Sequence, residues 1–62
     1  MTTLTKRQIQ VSELTARGLC AKEIARELGI SRRTVEDHKH DAYAKLGVRN
    51  AVELARKILG ID

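Results

Sequence analysis

The chain has 62 residues, of which 32% are charged, with 12 Lys and Arg against 8 Asp and Glu and a formal net charge of +4. A core of this size supplies only about 3–5 kcal/mol of net stability, and it contains neither Phe nor Trp, so a deep substrate pocket is not expected. These features favour a binding module over an enzyme. The basic excess favours a polyanionic partner, because each phosphate that a cation neutralises releases counterions.

Several other classes of protein are disfavoured. The N-terminal residues lack the apolar stretch of a signal peptide, and no apolar run is long enough to span a bilayer, so we expect a cytoplasmic protein without a membrane partner. The single cysteine, Cys20, has no partner for an internal disulfide or at metal-ligand spacing. We therefore expect no metal, no cofactor and no catalytic residues.

Four glycines, at positions 18, 29, 47 and 60, divide the sequence at regular intervals. Glycine adopts the left-handed backbone conformation that ends helices at little cost, so this spacing predicts four helices with short connections. β-branched residues are scattered rather than alternating, and no sheet is expected. The sequence thus predicts an all-α fold, in a single domain over residues 1–62.

The first predicted helix begins after Thr5 and runs to Arg17. Gln8 stands three residues after Thr5, and this spacing is typical of a capping box. Val11 and Leu14 share the apolar face of this helix.

The second predicted helix runs from about Ala21 to Leu28 and is followed by a glycine turn. Ala25 lies four residues before Gly29, where a small side chain lets two helices cross closely, and Val35 lies six residues after it. This spacing is that of a helix-turn-helix, which is more specific than a general helical hairpin. The two helices are expected to form a wedge, and the apolar residues expected to pack between them are Ile24, Leu28, Ile30 and Val35.

The third predicted helix, over about residues 31–46, is capped by Ser31 and ended by Gly47. Its inward face is expected to carry Val35, His38, Ala42 and Leu46. Arg32 and Arg33 occupy the first turn, where positive charge opposes the helix dipole, and such a local violation often marks a functional site. If this helix reads DNA, helical spacing places four side chains near the bases, namely Arg33, Glu36, Asp37 and His40.

Each residue on this exposed face of the third helix also has an alternative role. Glu36 and Asp37 can accept a hydrogen bond from the cytosine amino group, but acidic residues near a helix start also serve a purely structural role. A pair of solvated side chains is the less favoured alternative for the two arginines, and for His40 a solvated histidine is as plausible as a contact with a base or a phosphate. The residues expected to contact phosphate include Lys22, Ser31, Arg32 and Lys45. Lys22 is the best placed, because the free N–H groups at the start of the second helix also attract phosphate.

The fourth predicted helix opens with Asn50 and Glu53, again at capping-box spacing. The residues expected to face inward from it are Val52, Ala55, Ile58 and Leu59.

From Leu4 to about Leu59 the sequence resembles the LuxR/GerE-type domain, also called the NarL/FixJ output domain. The segments that carry the resemblance, in register, are Leu4-Thr5-Lys6-Arg7, Gly18, Lys22-Glu23-Ile24-Ala25, Leu28-Gly29-Ile30-Ser31, Thr34-Val35, His38 and Lys45-Leu46-Gly47-Val48. Each segment alone is weak, but together they are highly specific. Glu36 and the segment Arg49–Leu54 look like the FixJ branch.

The resemblance implies a tri-helical core with a C-terminal fourth helix, and sequence-specific binding of double-stranded DNA by a transcription regulator. It implies a homodimer on DNA through the fourth helix, which brings Val52 and Arg56 near the partner subunit. It places positions 36, 37 and 40 at bases, and it places Lys22, Arg33, Thr34 and Lys45 near phosphates. RNA polymerase is a further candidate partner, and the chain is expected to be either a response-regulator output domain or a stand-alone small regulator at the nucleoid.

The sequence departs from the family pattern at several positions. Gln8 and Gln10 replace the usual Glu, and Ser12 replaces a large apolar residue, which is expected to thin the core under the first helix. Cys20 replaces the usual Ser cap of the second helix, and Asp37 is an unusual residue on a reading face. These departures leave the fold intact but leave the DNA sequence that is read undetermined.

Two other functions remain as alternatives. Region 4 of a sigma factor has a similar opening and turn and acts through RNA polymerase, but such chains typically finish near the reading helix. A protein-interaction module with this fold, pairing with full-length regulators without binding DNA, is compatible with the acidic Glu36–Asp37 pair and with an exposed Ile9.

Overall fold

The computed structural model describes residues 4–60 and shows four helices within them. Their bounds are α1 Lys6–Ala16, α2 Ala21–Leu28, α3 Arg32–Leu46 and α4 Ala51–Leu59. No strand occurs in residues 4–60, so the all-α prediction is confirmed. Among the helices of this range, none combines the length and the apolar character needed to cross a membrane.

The start of α1 carries the predicted capping box. The backbone N–H of Gln8 donates to the Thr5 hydroxyl at 3.2 Å, and the backbone N–H of Thr5 donates to Gln8 Oε1 at 3.1 Å. Both bonds satisfy N–H groups that a helix start otherwise leaves without partners. At its other end the helix stops at Ala16, one residue before the predicted end, because Arg17 is the C-cap.

The cap of α4 differs from its prediction. Asn50 Oδ1 accepts from the backbone N–H of Glu53 at 2.9 Å, as expected. The Glu53 carboxylate, however, accepts from the backbone N–H of Arg49 at 3.2 Å and does not return to Asn50. The capping box predicted here is therefore only half formed, because the carboxylate reaches one residue further upstream.

The turn between α2 and α3 depends on the backbone of Gly29, which has φ +68°. A residue with a Cβ is strained in this left-handed conformation. The turn is closed by a hydrogen bond of 3.0 Å from the backbone N–H of Ile30 to the carbonyl oxygen of Ala25. This geometry aims the chain directly into α3.

The core lies where α1, α2 and α3 converge. Val11, Ile24 and Val35 have no exposed surface, and Ala25 is 8% exposed. Partly buried residues surround them, namely Leu14, Leu19, Ala21, Leu28 and Ile30. The predicted wedge of α2 against α3 is confirmed, and α1 packs against both α3 and α4.

The inward face predicted for α4 is wrong at two positions. Val52 is 64% exposed and Leu59 is 62% exposed, whereas Leu54 is fully buried. Helical geometry puts Leu54 and the half-buried Ile58 on one stripe, and Val52 with Leu59 on another. Both stripes are apolar, so the sequence pattern does not distinguish them, and the Leu54 stripe is the one that faces the core.

Ser12 departs from the large apolar residue of the family pattern, and it is 1% exposed. Its hydroxyl has no hydrogen-bond partner. A buried hydroxyl without a partner costs about 1–3 kcal/mol of stability, so this position weakens α1 through its polarity as well as its small size.

Candidate nucleic-acid interface

The four side chains predicted to read bases are all exposed on α3, namely Arg33, Glu36, Asp37 and His40. Their spacing along α3 places them on one stripe of the helix. On the other side of α3, Val35 and Ala42 have no exposed surface and His38 is half-buried. The helix is thus divided into a packed face and a free face, and the free face carries all four candidates.

Two of the candidate residues are coupled to each other. Arg32 Nε donates to Glu36 Oε1 at 3.3 Å, and the two side chains are 69% and 52% exposed. An exposed pair at i,i+4 contributes only about 0.3–0.5 kcal/mol, so it separates readily when a stronger partner arrives. The pair was not predicted from the sequence, although the i,i+4 spacing of Arg32 and Glu36 is typical of an ion pair on a helix.

At the start of α3 two hydroxyl groups contact each other. Ser31 Oγ accepts from the backbone N–H of Thr34 at 3.1 Å, which caps the helix as predicted. The same oxygen lies 2.7 Å from Thr34 Oγ1. Only one hydroxyl proton lies between the two oxygens, so the other proton is free to donate to an external acceptor. Capping and donation to a phosphate therefore do not compete here.

Lys45 lies exposed in the last turn of α3. Its Nζ donates to Gln8 Oε1 at 3.0 Å, and Gln8 is only 6% exposed. This bond joins the C-terminal end of α3 to the capping box of α1. This bond was not predicted from the sequence, because the two residues are 37 positions apart and no local spacing relates them.

The start of α2 carries Lys22, which is exposed, just after the Cys20 cap position. The Glu23 carboxylate accepts from the backbone N–H of Cys20 at 2.9 Å. This hydrogen bond, more than the nearby Arg26 charge, holds the pKa of Glu23 below its ordinary value of 4.5. The weak cap expected from Cys20 is therefore compensated from inside the helix.

The two residues predicted to meet a partner subunit are exposed on α4. Val52 and Arg56 lie at i,i+4 beside a largely apolar groove between α4 and the end of α1. The groove is lined by Thr15, Ala16, Gly18, Ala51, Val52, Ala55, Arg56 and Leu59. Across residues 4–60 no group of three or more His, Cys, Asp or Glu side chains is placed to hold a metal ion.

A glycine-turned wedge of two helices, with the second helix exposed along one polar stripe, defines a helix-turn-helix DNA-binding domain. The chain belongs to the LuxR family of bacterial regulatory proteins. The family model described as "Bacterial regulatory proteins, luxR family" matches residues 2–58, which confirms the resemblance.

Three similar proteins are regulatory proteins by name. The chain is 54% identical over 55 residues to the transcriptional regulatory protein UhpA of Escherichia coli, which covers 89% of this chain and 28% of that protein. It is 47% identical over 49 residues to the C4-dicarboxylate transport transcriptional regulatory protein DctR of Rhodobacter capsulatus, covering 79% of this chain and 25% of the relative. The oxygen regulatory protein NreC of Staphylococcus aureus is 41% identical over 56 residues, with 90% and 26% covered.

The chain thus spans about a quarter of the length of the relatives it matches. No solved structure gives a significant match.

Proposed function

We propose that this chain binds double-stranded DNA sequence-specifically and acts as the DNA-contacting module of a transcription regulator, with α3 in the major groove. The observation that carries the proposal is the division of α3 into a packed face and a free polar stripe. A recognition helix needs this division, because its side chains must reach base edges from a rigid backbone. Membership of the LuxR family supports the same function.

The base contacts assigned to the stripe are those of Arg33, Glu36, Asp37 and His40. Glu36 and Asp37 are acceptors, so they match a base that presents an amino group in the major groove, with cytosine as the first choice. The Arg32 guanidinium offsets part of the negative charge of Glu36, which reduces its repulsion from the DNA backbone. Asp37 makes no ion pair within residues 4–60, so we expect it to be the more selective of the two.

The phosphate contacts assigned here are those of Lys22, Ser31, Arg32, Thr34 and Lys45. They come from the starts of α2 and α3 and from the end of α3. With 15 residues, α3 is about 22 Å long, which exceeds the major-groove width of about 12 Å. The ends of α3 therefore approach the sugar-phosphate backbone while its N-terminal half faces the bases.

We also propose that two chains pair on DNA through α4. Val52 presents apolar surface to solvent, and Arg56 stands on the same side of the helix. Burial of Val52 against a second α4 removes about half or more of its side chain from water, a gain of roughly 1 kcal/mol per chain. An interface this small is weak alone, so pairing is expected on DNA, where two half-sites hold both chains together.

As a binding module, the chain needs neither catalysis nor a cofactor. It serves either as the output domain of a larger response regulator or as a stand-alone regulator, in the cytoplasm at the nucleoid. RNA polymerase is proposed as a further partner of the assembled regulator.

The test is selection of binding sites from a random duplex library, followed by fluorescence anisotropy. We expect a palindrome whose half-sites lie about one helical turn apart. Asp37→Ala should relax the preference for one base at one position of the site, a loss of discrimination of about 1–3 kcal/mol. Arg33→Ala should weaken binding to all duplexes. Glu13→Ala, the same loss of charge at an exposed position of α1, is the matched control and should leave the selected site unchanged.

The dimer is tested with the same duplexes. Val52→Ser should preserve binding to a single half-site and reduce the advantage of the full palindrome. If the chain enriches no site and binds no duplex even at low salt, DNA binding is rejected. The exposed Ile9, at 43%, and the acidic pair on α3 then make a protein-interaction module the better description.

A further inference from the structure

One oxygen atom of a buried side chain accepts two hydrogen bonds, one from a residue three positions away and one from a residue 37 positions away. Gln8 Oε1 accepts from the backbone N–H of Thr5 at 3.1 Å and from Lys45 Nζ at 3.0 Å. Both partners are donors only, so the orientation of the Gln8 amide is fixed with its oxygen towards them. Since Gln8 is 6% exposed, this atom lies on the rigid body of the domain.

The lysine that it holds keeps its capacity to bind an anion. An ammonium group has three donors, and Gln8 occupies one of them, which leaves two for an external partner. The Gln8 amide carries no charge, so it orients the ammonium without neutralising it. Among residues 4–60 the only ion pair joins Arg32 and Glu36, so no carboxylate lies at ion-pair distance from the Lys45 ammonium.

We infer that Gln8 is a positioning residue for DNA binding, whose buried amide holds the Lys45 ammonium for a backbone phosphate while leaving its charge intact. This inference rests on the proposed DNA-binding function. A free lysine loses side-chain entropy when it binds a phosphate, and a lysine already held loses less. The gain appears in affinity for any duplex, because a phosphate contact carries no sequence information.

The experiment measures anisotropy of a labelled duplex over a salt series for the whole chain and its variants. Gln8→Glu keeps the acceptor and the size of the side chain but places a negative charge beside Lys45. The carboxylate then compensates part of the lysine charge, so the slope of log affinity against log salt should become less steep, by at most the value of about 0.9 for one lost phosphate contact. Lys45→Met, which removes the ammonium, should give the full loss of slope. Gln8→Glu with an unchanged slope overturns the inference.

A second arm separates positioning from a structural role. Gln8→Met removes the acceptor at similar volume and should weaken binding about two- to tenfold, the cost of ordering one long side chain. In the Lys45→Met background the same substitution should leave the affinity for the duplex unchanged. An equal loss in both backgrounds means that Gln8 acts through the fold alone and contradicts the inference.

The control is Thr5→Ala, which removes the hydroxyl cap but keeps the backbone N–H that Gln8 accepts from. It should lower the melting temperature and leave the salt slope intact. If Thr5→Ala lowers the slope as Gln8→Glu does, the slope reports stability and the inference fails. Absence of duplex binding by the unmodified chain rejects the proposed function itself, which is a different result from binding that is indifferent to Gln8.

Discussion

The wedge of α2 against α3, whose core α1 completes, buries apolar surface in a different way from the fourth helix. Val11, Ile24 and Val35 meet at the centre of the wedge and have no exposed surface. In α4 only Leu54 is fully buried, while Val52 and Leu59 remain 64% and 62% exposed. The wedge completes its own core, whereas α4 carries more apolar surface than a single chain covers.

Helices α2 and α4 are linked only through the other two helices. In the described part of the chain, α2 and α4 share no contact, while α1 and α3 each pack against both of them. A disturbance in α4 therefore reaches α2 only by way of α1 or α3. This arrangement supports the proposed function, in which α3 reads DNA and α4 meets a partner subunit.

The largest effect is expected from Ile24→Ala, which opens a cavity at the centre of the wedge. Ile24 is fully buried, and such truncations cost about 2–5 kcal/mol. The total stability of a core of this size is about 3–5 kcal/mol, so the variant should be largely unfolded at 37 °C. Thermal unfolding followed by circular dichroism measures this. Ile9→Ala, at a residue that is 43% exposed, should cost less than about 1 kcal/mol, and equal losses at the two sites contradict the assigned core.

A smaller and more local effect is expected from Leu54→Ala. This substitution removes the one fully buried side chain of α4, and we expect a loss of about 2–3 kcal/mol because a peripheral helix can shift to fill the space. Amide hydrogen exchange should show faster opening of α4 than of α2, which does not touch α4. If protection falls equally in both helices, the two regions form one cooperative unit and α4 does not open separately.

The same contrast explains what the sequence allowed us to predict. In the wedge, Gly29 with small and apolar residues at fixed distances admits one arrangement, and the structure has that arrangement. In α4, Val52 and Leu59 form an apolar stripe as plausible as that of Leu54, so periodicity alone assigned the wrong side. The packing of α1 and α3 against α4 decides between the two stripes.

The candidate site also has one part that the sequence predicts and one part that it does not. Exposure of the stripe from Arg33 to His40 follows from helical periodicity once Val35 is placed in the core, so sequence reasoning found it. The bond between Lys45 and Gln8 depends on how α3 crosses α1, which no local pattern encodes. Contacts across helices are thus the part of the site that required the tertiary structure.

Ser12→Ala is expected to stabilise the wedge by about 1 kcal/mol. The Ser12 hydroxyl is buried without a hydrogen-bond partner, and Ala also has the higher helix propensity. Denaturant unfolding measures the gain. Thr15→Val is the matched control, because the Thr15 hydroxyl, also buried, donates to the carbonyl oxygen of Val11 at 2.8 Å. Removal of that satisfied hydroxyl should bring no such gain, and a gain of equal size there shows that the missing partner of Ser12 is not the cause.

The smallest effect is expected at the start of α2, the helix that does not contact α4. The backbone N–H of Cys20 stabilises the charged form of Glu23, so the pKa of this carboxyl lies below 4.5 in the folded chain. A group whose pKa is lowered by folding stabilises the fold fully above its unfolded pKa, and this contribution is lost as the pH falls through the folded pKa. Glu23→Gln should therefore melt at a lower temperature than the unmodified chain at pH 7, and the difference should disappear in acid.

Glu27→Gln provides the comparison on the same helix, because Glu27 makes no ion pair within residues 4–60. Its melting temperature should equal that of the unmodified chain both in acid and at neutral pH. A constant difference between Glu23→Gln and the unmodified chain at all pH values means that the carboxylate charge does not cap α2. The stability of the turn before α3 then rests on the packing of Ile24 and Ala25 alone, and the wedge owes its rigidity to apolar contacts without help from its caps.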